Sequence, residues 1–384
     1  MPFYCKQGNI PPKRHTAFRN ESGKLCYEEL VSREGFSGMY SNLYHLNRPT
    51  TISKVGDFTP VQLERAGSKH RARHITTSNL DSSGDVVSSR IPLFYNSDLT
   101  ISAAKVTISM DFCYRNGNAD ELFYVQSGKA NLQTNLGKLE IEPGDYVVIP
   151  RGIIWQLHID GDLKLLILES GGAVQTPNRY RNKLGQLLEH SPFCERDITT
   201  PQLQDPLDLN GEHNVLVKTQ QGLQEFVYTH HPFDVVGWDG YYFPWKMSIH
   251  NFEPIVGSIH QPPPVHQTFQ APGFVVCSFV PRLFDFHPDA IPAPYPHSNV
   301  DSDEIIYYSK GDFMSRKGIQ EESITLHPMG LPHGPQPGKY HSSKGKKKTD
   351  ELAVMIDTFK PLRITKAAKS VDDIEYPKSW IDKN

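Results

Sequence analysis

Two short stretches carry side chains able to do chemistry. PYPHSNVDSDEIIYY (294–308) sets His297 ahead of three acids, Asp301, Asp303 and Glu304, and then runs into β-branched and aromatic residues. LHPMGLPHGP (326–335) adds His327 and His333. Two imidazoles and one carboxylate on one face of an octahedral ion leave three adjacent positions open, the arrangement of non-haem Fe(II) oxygenases. Imidazole nitrogen suits iron, and a single carboxylate offsets part of its charge without filling the coordination sphere. Zinc in the same cage would favour hydrolysis or isomerisation, with no redox step. Taken singly, each residue has a plainer reading: His297 as a surface histidine, Glu304 as an exposed carboxylate at a strand start, His327 as a structural neighbour of the site instead of a substrate contact. Tyr295 stands two residues before His297, so on extended backbone both project to one face, as a wall of the site or as a core aromatic.

The elements holding these residues read as short strands. Thirty prolines and 28 glycines interrupt the chain throughout, and KVTISMDF (105–112), ELFYVQSGKANLQT (121–134), DYVVIP (145–150), LKLLILES (163–170), GFVVCSFV (273–280) and EIIYYSKGDF (304–313) are β-branched and aromatic runs between turn residues. That pattern predicts an all-β sandwich or barrel. Two short helices are expected, over Glu28–Arg33 and over 178–190, where Leu184, Leu187 and Leu188 would share a face. His230 and His231 read as turn residues, and the run Lys344–Lys348 as a solvated loop.

An internal repeat decides which positions correspond. YRNGNADELFYVQSGKANL (114–132) aligns without a gap on HSNVDSDEIIYYSKGDFMS (297–315): Asn116 falls on Asn299, Asp120 on Asp303, Glu121 on Glu304 and Gly128 on Gly311. IPRGIIW (149–155) aligns on HPMGLPH (327–333), so Trp155 meets His333. With LEIEPGDYVVIPRGIIWQLH (139–158), the pattern resembles a cupin, a double-stranded β-helix or jelly roll whose first motif supplies His and Glu ligands and whose second supplies a further His. The first copy offers Tyr114, Glu121 and Trp155 at these positions and is expected to be metal-free; the second offers His297, Glu304 and His333. Glu304 stands seven residues before Gly311, as Glu121 stands seven before Gly128. Glu304 is therefore the expected ligand, with Asp303 in a turn or supporting the site from behind the ligands, and Asp301 in solvent. The expected organisation is two cupin-like repeats with short helices and an N-terminal extension: residues 1–250 holding the degenerate cupin (about 96–170) and a linker, and 251–384 forming the catalytic cupin.

Composition narrows the function classes. Forty basic against 43 acidic residues give a net charge of -3, without the basic stripe of a phosphate-backbone binder. Nucleic acid is thus excluded as an expected partner. Five scattered cysteines without a C-x-x-C pair suit a reducing compartment. No signal-like or membrane-length apolar run occurs, so a soluble cytoplasmic protein is expected.

QEFVYTHHPFDVVGWDGYYFPWKMSIHNF (224–252), PYPHSN, LHPMGLPHGP and the C-terminal ELAVMIDTFKPLRIT together resemble the homogentisate 1,2-dioxygenase family over most of the chain. The resemblance implies Fe(II) held by His297, Glu304 and His333. Tyr295, His327 and His333 are expected as substrate contacts, and the resemblance also implies a histidine ahead of the metal motifs that handles a substrate hydroxyl proton. SIHQPPPVHQTF (258–269) offers His260 for that role, with His266 as fallback. The implied reaction converts homogentisate and O2 to 4-maleylacetoacetate in tyrosine and phenylalanine catabolism, in a homo-oligomer, trimer or hexamer. Two rivals stand beside it: a cupin dioxygenase for another dihydroxylated aromatic acid, and a non-catalytic cupin that binds a small ligand. The chain departs from the family's pattern in having Glu304 seven residues after the first ligand histidine instead of six, and Phe313 where the family has a tyrosine.

Overall fold

A computed structural model describes residues 3–381. Among the described residues the regular secondary structure is almost entirely strand, with two five-residue α-helices, Lys339–Ser343 and Lys366–Ser370. Among the described residues no helix is long and apolar enough to cross a membrane.

Two six-strand arrays share one order. In the first, Arg90–Tyr95, Leu99–Val106, Ile154–Ser170, Asp120–Thr134, Asp145–Ile149 and Trp245–Ser248 lie side by side within a larger 13-stranded sheet. In the second, the order is Gln267–Ala271, Phe274–Phe279, Leu352–Thr358, Asp303–Lys310, Ser323–His327 and Arg73–Thr76. Each array closes with a strand borrowed from a distant part of the chain. Strands pair across residue 250 in both directions: Arg73–Thr76 completes the second sheet, and Arg363–Ile364 pairs back onto the first. The N-terminal extension forms its own four-stranded sheet, in which Cys5–Gly8, Tyr27–Ser32 and Tyr40–His45 join Val235–Gly240.

The same local devices build both copies. Gly128 (φ 87°) and Gly311 (φ 104°) turn in the left-handed region, and a Cβ on either would meet a backbone oxygen, of Asp162 at 2.3 Å and of Asp350 at 2.4 Å. Only glycine fits there. Asp120 accepts hydrogen bonds from the backbone N–H of Arg151 (3.0 Å) and Val174 (3.2 Å), and Asp303 likewise from Met329 (2.8 Å) and Leu362 (2.7 Å). The copies pack against each other through repeat-related tyrosines: the Tyr124 and Tyr307 rings are 6.1 Å apart, edge to face, and Tyr124 donates to Ser309 Oγ at 2.7 Å.

Both expected helices are absent. Tyr27–Ser32 is a strand hydrogen-bonded to Tyr40–His45, because pairing along a whole edge outweighs weak local helix preference. In 178–190 only Asn178–Tyr180 forms a 3-10 turn. Asn182 then accepts from the backbone N–H of Leu184 and Gln186, a side-chain turn that competes with helix, and Leu184 is 82% exposed while Leu187 is buried. The strand expected over 105–112 ends at Val106.

Candidate metal centre

His297 and His333 face each other across an isolated antiparallel bridge, and Glu304 begins the neighbouring strand directly opposite His327. The bridge and the strand register bring one ligand atom from each of His297, Glu304 and His333 within 4.8 Å of one another. His297 Nε2 is 3.7 Å from Glu304 Oε2, and His333 Nε2 is 3.5 Å from Glu304 Oε1.

The ring orientations suit a metal. His297 Nδ1 lies 3.3 Å from the Tyr295 carbonyl oxygen, and His333 Nδ1 lies 3.2 Å from that of Leu331. A carbonyl only accepts, so each Nδ1 carries the proton and each Nε2 presents its lone pair toward Glu304. His333 Nε2 is buried without a hydrogen-bond partner, which is what a metal ligand's donor atom looks like before the ion is added. This donor set fits a divalent ion of the iron or zinc type.

His327 lies beneath the site. It is 1% exposed, its ring stacks on His333 at 4.6 Å, and its Nδ1 is 2.7 Å from Glu304 Oε1. Burial pushes its imidazole down to about 4, so it is neutral and donates Nδ1–H to the carboxylate. In this arrangement His327 reaches Glu304 and not the open side where a substrate would enter. Burial raises the Glu304 carboxyl, but the hydrogen bond from His327 and the imidazoles of His297 and His333 beside it outweigh burial and hold the group well below its usual range. The Glu304 carboxylate in turn raises the His297 imidazole.

The open rim is a row of rings. His260 and Tyr295 meet edge to face at 5.3 Å, and Tyr295 lies 6.3 Å from His297. Tyr295 is 51% exposed, so it is not a core aromatic. His260 Nδ1 lies 3.5 Å from Asp285 Oδ2. His266, the fallback, is buried against Phe279, and burial pushes its imidazole down to about 3. Phe313 is buried edge-on against Tyr308.

In the first copy Tyr114 and Trp155 pair in register where the second has His297 and His333. Arg90 inserts its guanidinium here, 2.5 Å from Glu121 Oε1 and over the rings of Tyr114 and Phe123. Trp155 Nε1 donates to Glu121 Oε2 at 3.2 Å. Sequence reasoning missed Arg90, which lies outside the aligned blocks. It also missed Asp357, which stands opposite Glu304. A third block of the repeat, ILES (167–170) on MIDT (355–358), would have found it. Burial, reinforced by the Glu304 charge, pushes the Asp357 carboxyl up to about 7.

Known proteins match between 68% and 99% of this chain. A protein of Saccharolobus solfataricus named a "putative dioxygenase" is 45% identical over 384 residues, covering 99% of each chain. Residues 85–249 match the family model described as homogentisate 1,2-dioxygenase N-terminal. The chain belongs to the homogentisate 1,2-dioxygenase family. Members named homogentisate 1,2-dioxygenase from Rhodopseudomonas palustris and Nitrobacter hamburgensis are 29% and 30% identical over 71% and 72% of the chain. The chain spans 63% and 64% of the length of those two members. The matched family segment covers the first copy, and His297, Glu304 and His333 lie beyond it. Among solved structures, a cupin 2 conserved barrel domain protein from Leptotrichia buccalis overlays with a TM-score of 0.35 at 10% identity, over 79% of this chain and all of that one. That overlay is too distant to add to what the strand order shows.

Proposed function

We propose that this protein is an Fe(II)-dependent ring-cleaving dioxygenase, converting homogentisate and O2 to 4-maleylacetoacetate with both oxygen atoms incorporated. The observation that carries the reading is the convergence of two imidazole Nε2 atoms and one carboxylate beside an open rim. Bound Fe(II) would supply the redox chemistry that lets O2 react with an aromatic ring. His297, Glu304 and His333 hold the ion, and His327 fixes the Glu304 carboxylate. His260, with Nδ1 turned toward Asp285, leaves Nε2 to accept or orient the proton of a ring hydroxyl. Tyr295 lines the entrance between His260 and His297.

A second reading, another dihydroxylated aromatic acid as substrate, is favoured by Phe313, whose ring offers no hydroxyl where the family resemblance implies a tyrosine. Oxygen uptake by anaerobically iron-loaded protein decides between them. Uptake with homogentisate and a maleylacetoacetate-type absorbance supports the first reading. Uptake with gentisate or a catechol alone supports the second. No uptake with any of the three, despite bound iron, overturns the enzyme reading in favour of a ligand-binding cupin.

A further inference from the structure

The two copies differ in how they balance buried charge, and the difference points to one more residue of the metal centre. In each copy a pair of acids faces across adjacent strands: Glu121 opposite Glu169 in the first, Glu304 opposite Asp357 in the second. Two carboxylates so placed repel each other and lose hydration, so they persist only with cations or bridging donors beside them. The first copy supplies both. Arg90 Nη1 lies 2.5 Å from Glu121 and 3.5 Å from Glu169, Lys218 Nζ lies 2.6 and 2.8 Å from the two Glu169 oxygens, and Asn116 donates to both acids. Two negative charges are met by two positive ones.

The second copy keeps the acids and lacks the cations. Among the described residues no lysine or arginine nitrogen lies within ion-pair distance of Glu304 or Asp357, and Asp357 Oδ1 is buried without any hydrogen-bond partner. Neutral His327 satisfies Glu304 but carries no charge to Asp357.

We propose that Asp357 is the second carboxylate of the metal centre, a positioning residue whose charge, with that of Glu304, balances the bound dication and whose unpartnered Oδ1 accepts a hydrogen bond from a water or substrate hydroxyl enclosed with the ion. The first copy is the same device with Arg90 and Lys218 in place of the ion. This rests on reading His297, Glu304 and His333 as a metal site, but not on which substrate is turned over.

The test is Fe(II) titration of the anaerobic metal-free protein by calorimetry, without substrate, for the native chain and for Asp357→Asn and Asp357→Glu. The expected result is a Kd at least tenfold weaker for D357N, recovery to within a few-fold for D357E, and melting temperatures of both metal-free variants close to native. A Kd for D357N within twofold of native overturns the proposal. So does equal weakening by D357E, which would mean shape matters and charge does not. Should D357N fail to fold, Asp357→Ser removes the charge with less bulk and is judged by the same two limits. Failure of the native chain to bind Fe(II) at all would instead sink the metal-centre reading itself.

Discussion

His297 and His333 bond to each other through their backbones, each N–H donating to the other's carbonyl oxygen at 2.8 Å. The distance between their side chains is thereby set by the chain and not by the ion. Tyr114 and Trp155 occupy the same paired positions in the first copy, with ring centroids 5.0 Å apart against 4.3 Å for the two histidines. One backbone frame thus carries an aromatic pair in the first copy and a pair of imidazoles in the second.

Glu304 and Asp303 separate metal binding from stability. Glu304→Ala is expected to abolish retention of iron after dialysis. Asp303→Ala should keep the metal but lose about 1–3 kcal/mol, because it strands the backbone N–H groups of Met329 and Leu362. Metal analysis and urea unfolding read the two effects, and an iron-free Asp303→Ala would place the ligand one residue earlier.

His327→Phe keeps a ring against His333 and removes the bond to Glu304. Loss of such an orienting partner costs roughly 10–100-fold in metal affinity. Fe(II) titration under anaerobic conditions checks this, and a native-like Kd would reduce His327 to packing.

His260→Ala should retain iron at native stoichiometry and lower kcat by about 10²–10⁴-fold, the usual worth of a positioned acid or base. Oxygen uptake on iron-matched samples measures it. Loss of iron with activity would make His260 part of the metal site.

Arg90→Leu leaves Glu121 buried without its guanidinium. Breaking a buried pair from one side costs on the order of 3–5 kcal/mol. Denaturant unfolding should show this loss, while the Fe(II) affinity of the surviving folded protein stays native.

Stability should also fall at alkaline pH through His45, in the N-terminal sheet. Burial lowers its imidazole pKa, but hydrogen bonds to Asp234 at 2.7 Å and Glu29 at 3.0 Å outweigh burial and raise it from 6.5 to about 9. The folded chain keeps a proton that the unfolded chain releases, so this stabilisation is complete below 6.5 and disappears as pH rises through 9. Melting temperature against pH should decline across that window for the native chain, and His45→Gln should flatten the decline.

The all-β class was legible in the residues themselves, and the proposed ligand set was drawn from the same pattern. Gly128 and Gly311 demand the same turn, and Asp-Glu before an apolar run recurs at the same distance from each, so side-chain alternation along a strand singled out Glu304 over its neighbours. The replacement of the expected helix by strand at Tyr27–Ser32 lay beyond its local sequence, because pairing with Tyr40–His45 decided it. So did the burial of His327 under Glu304, the pairing of Asp357 with Glu304, and the entry of Arg90 into the first barrel. Each of these brings together residues between 23 and 53 positions apart. Such distances close only when whole strands dock in register, and no periodicity within a single segment records them.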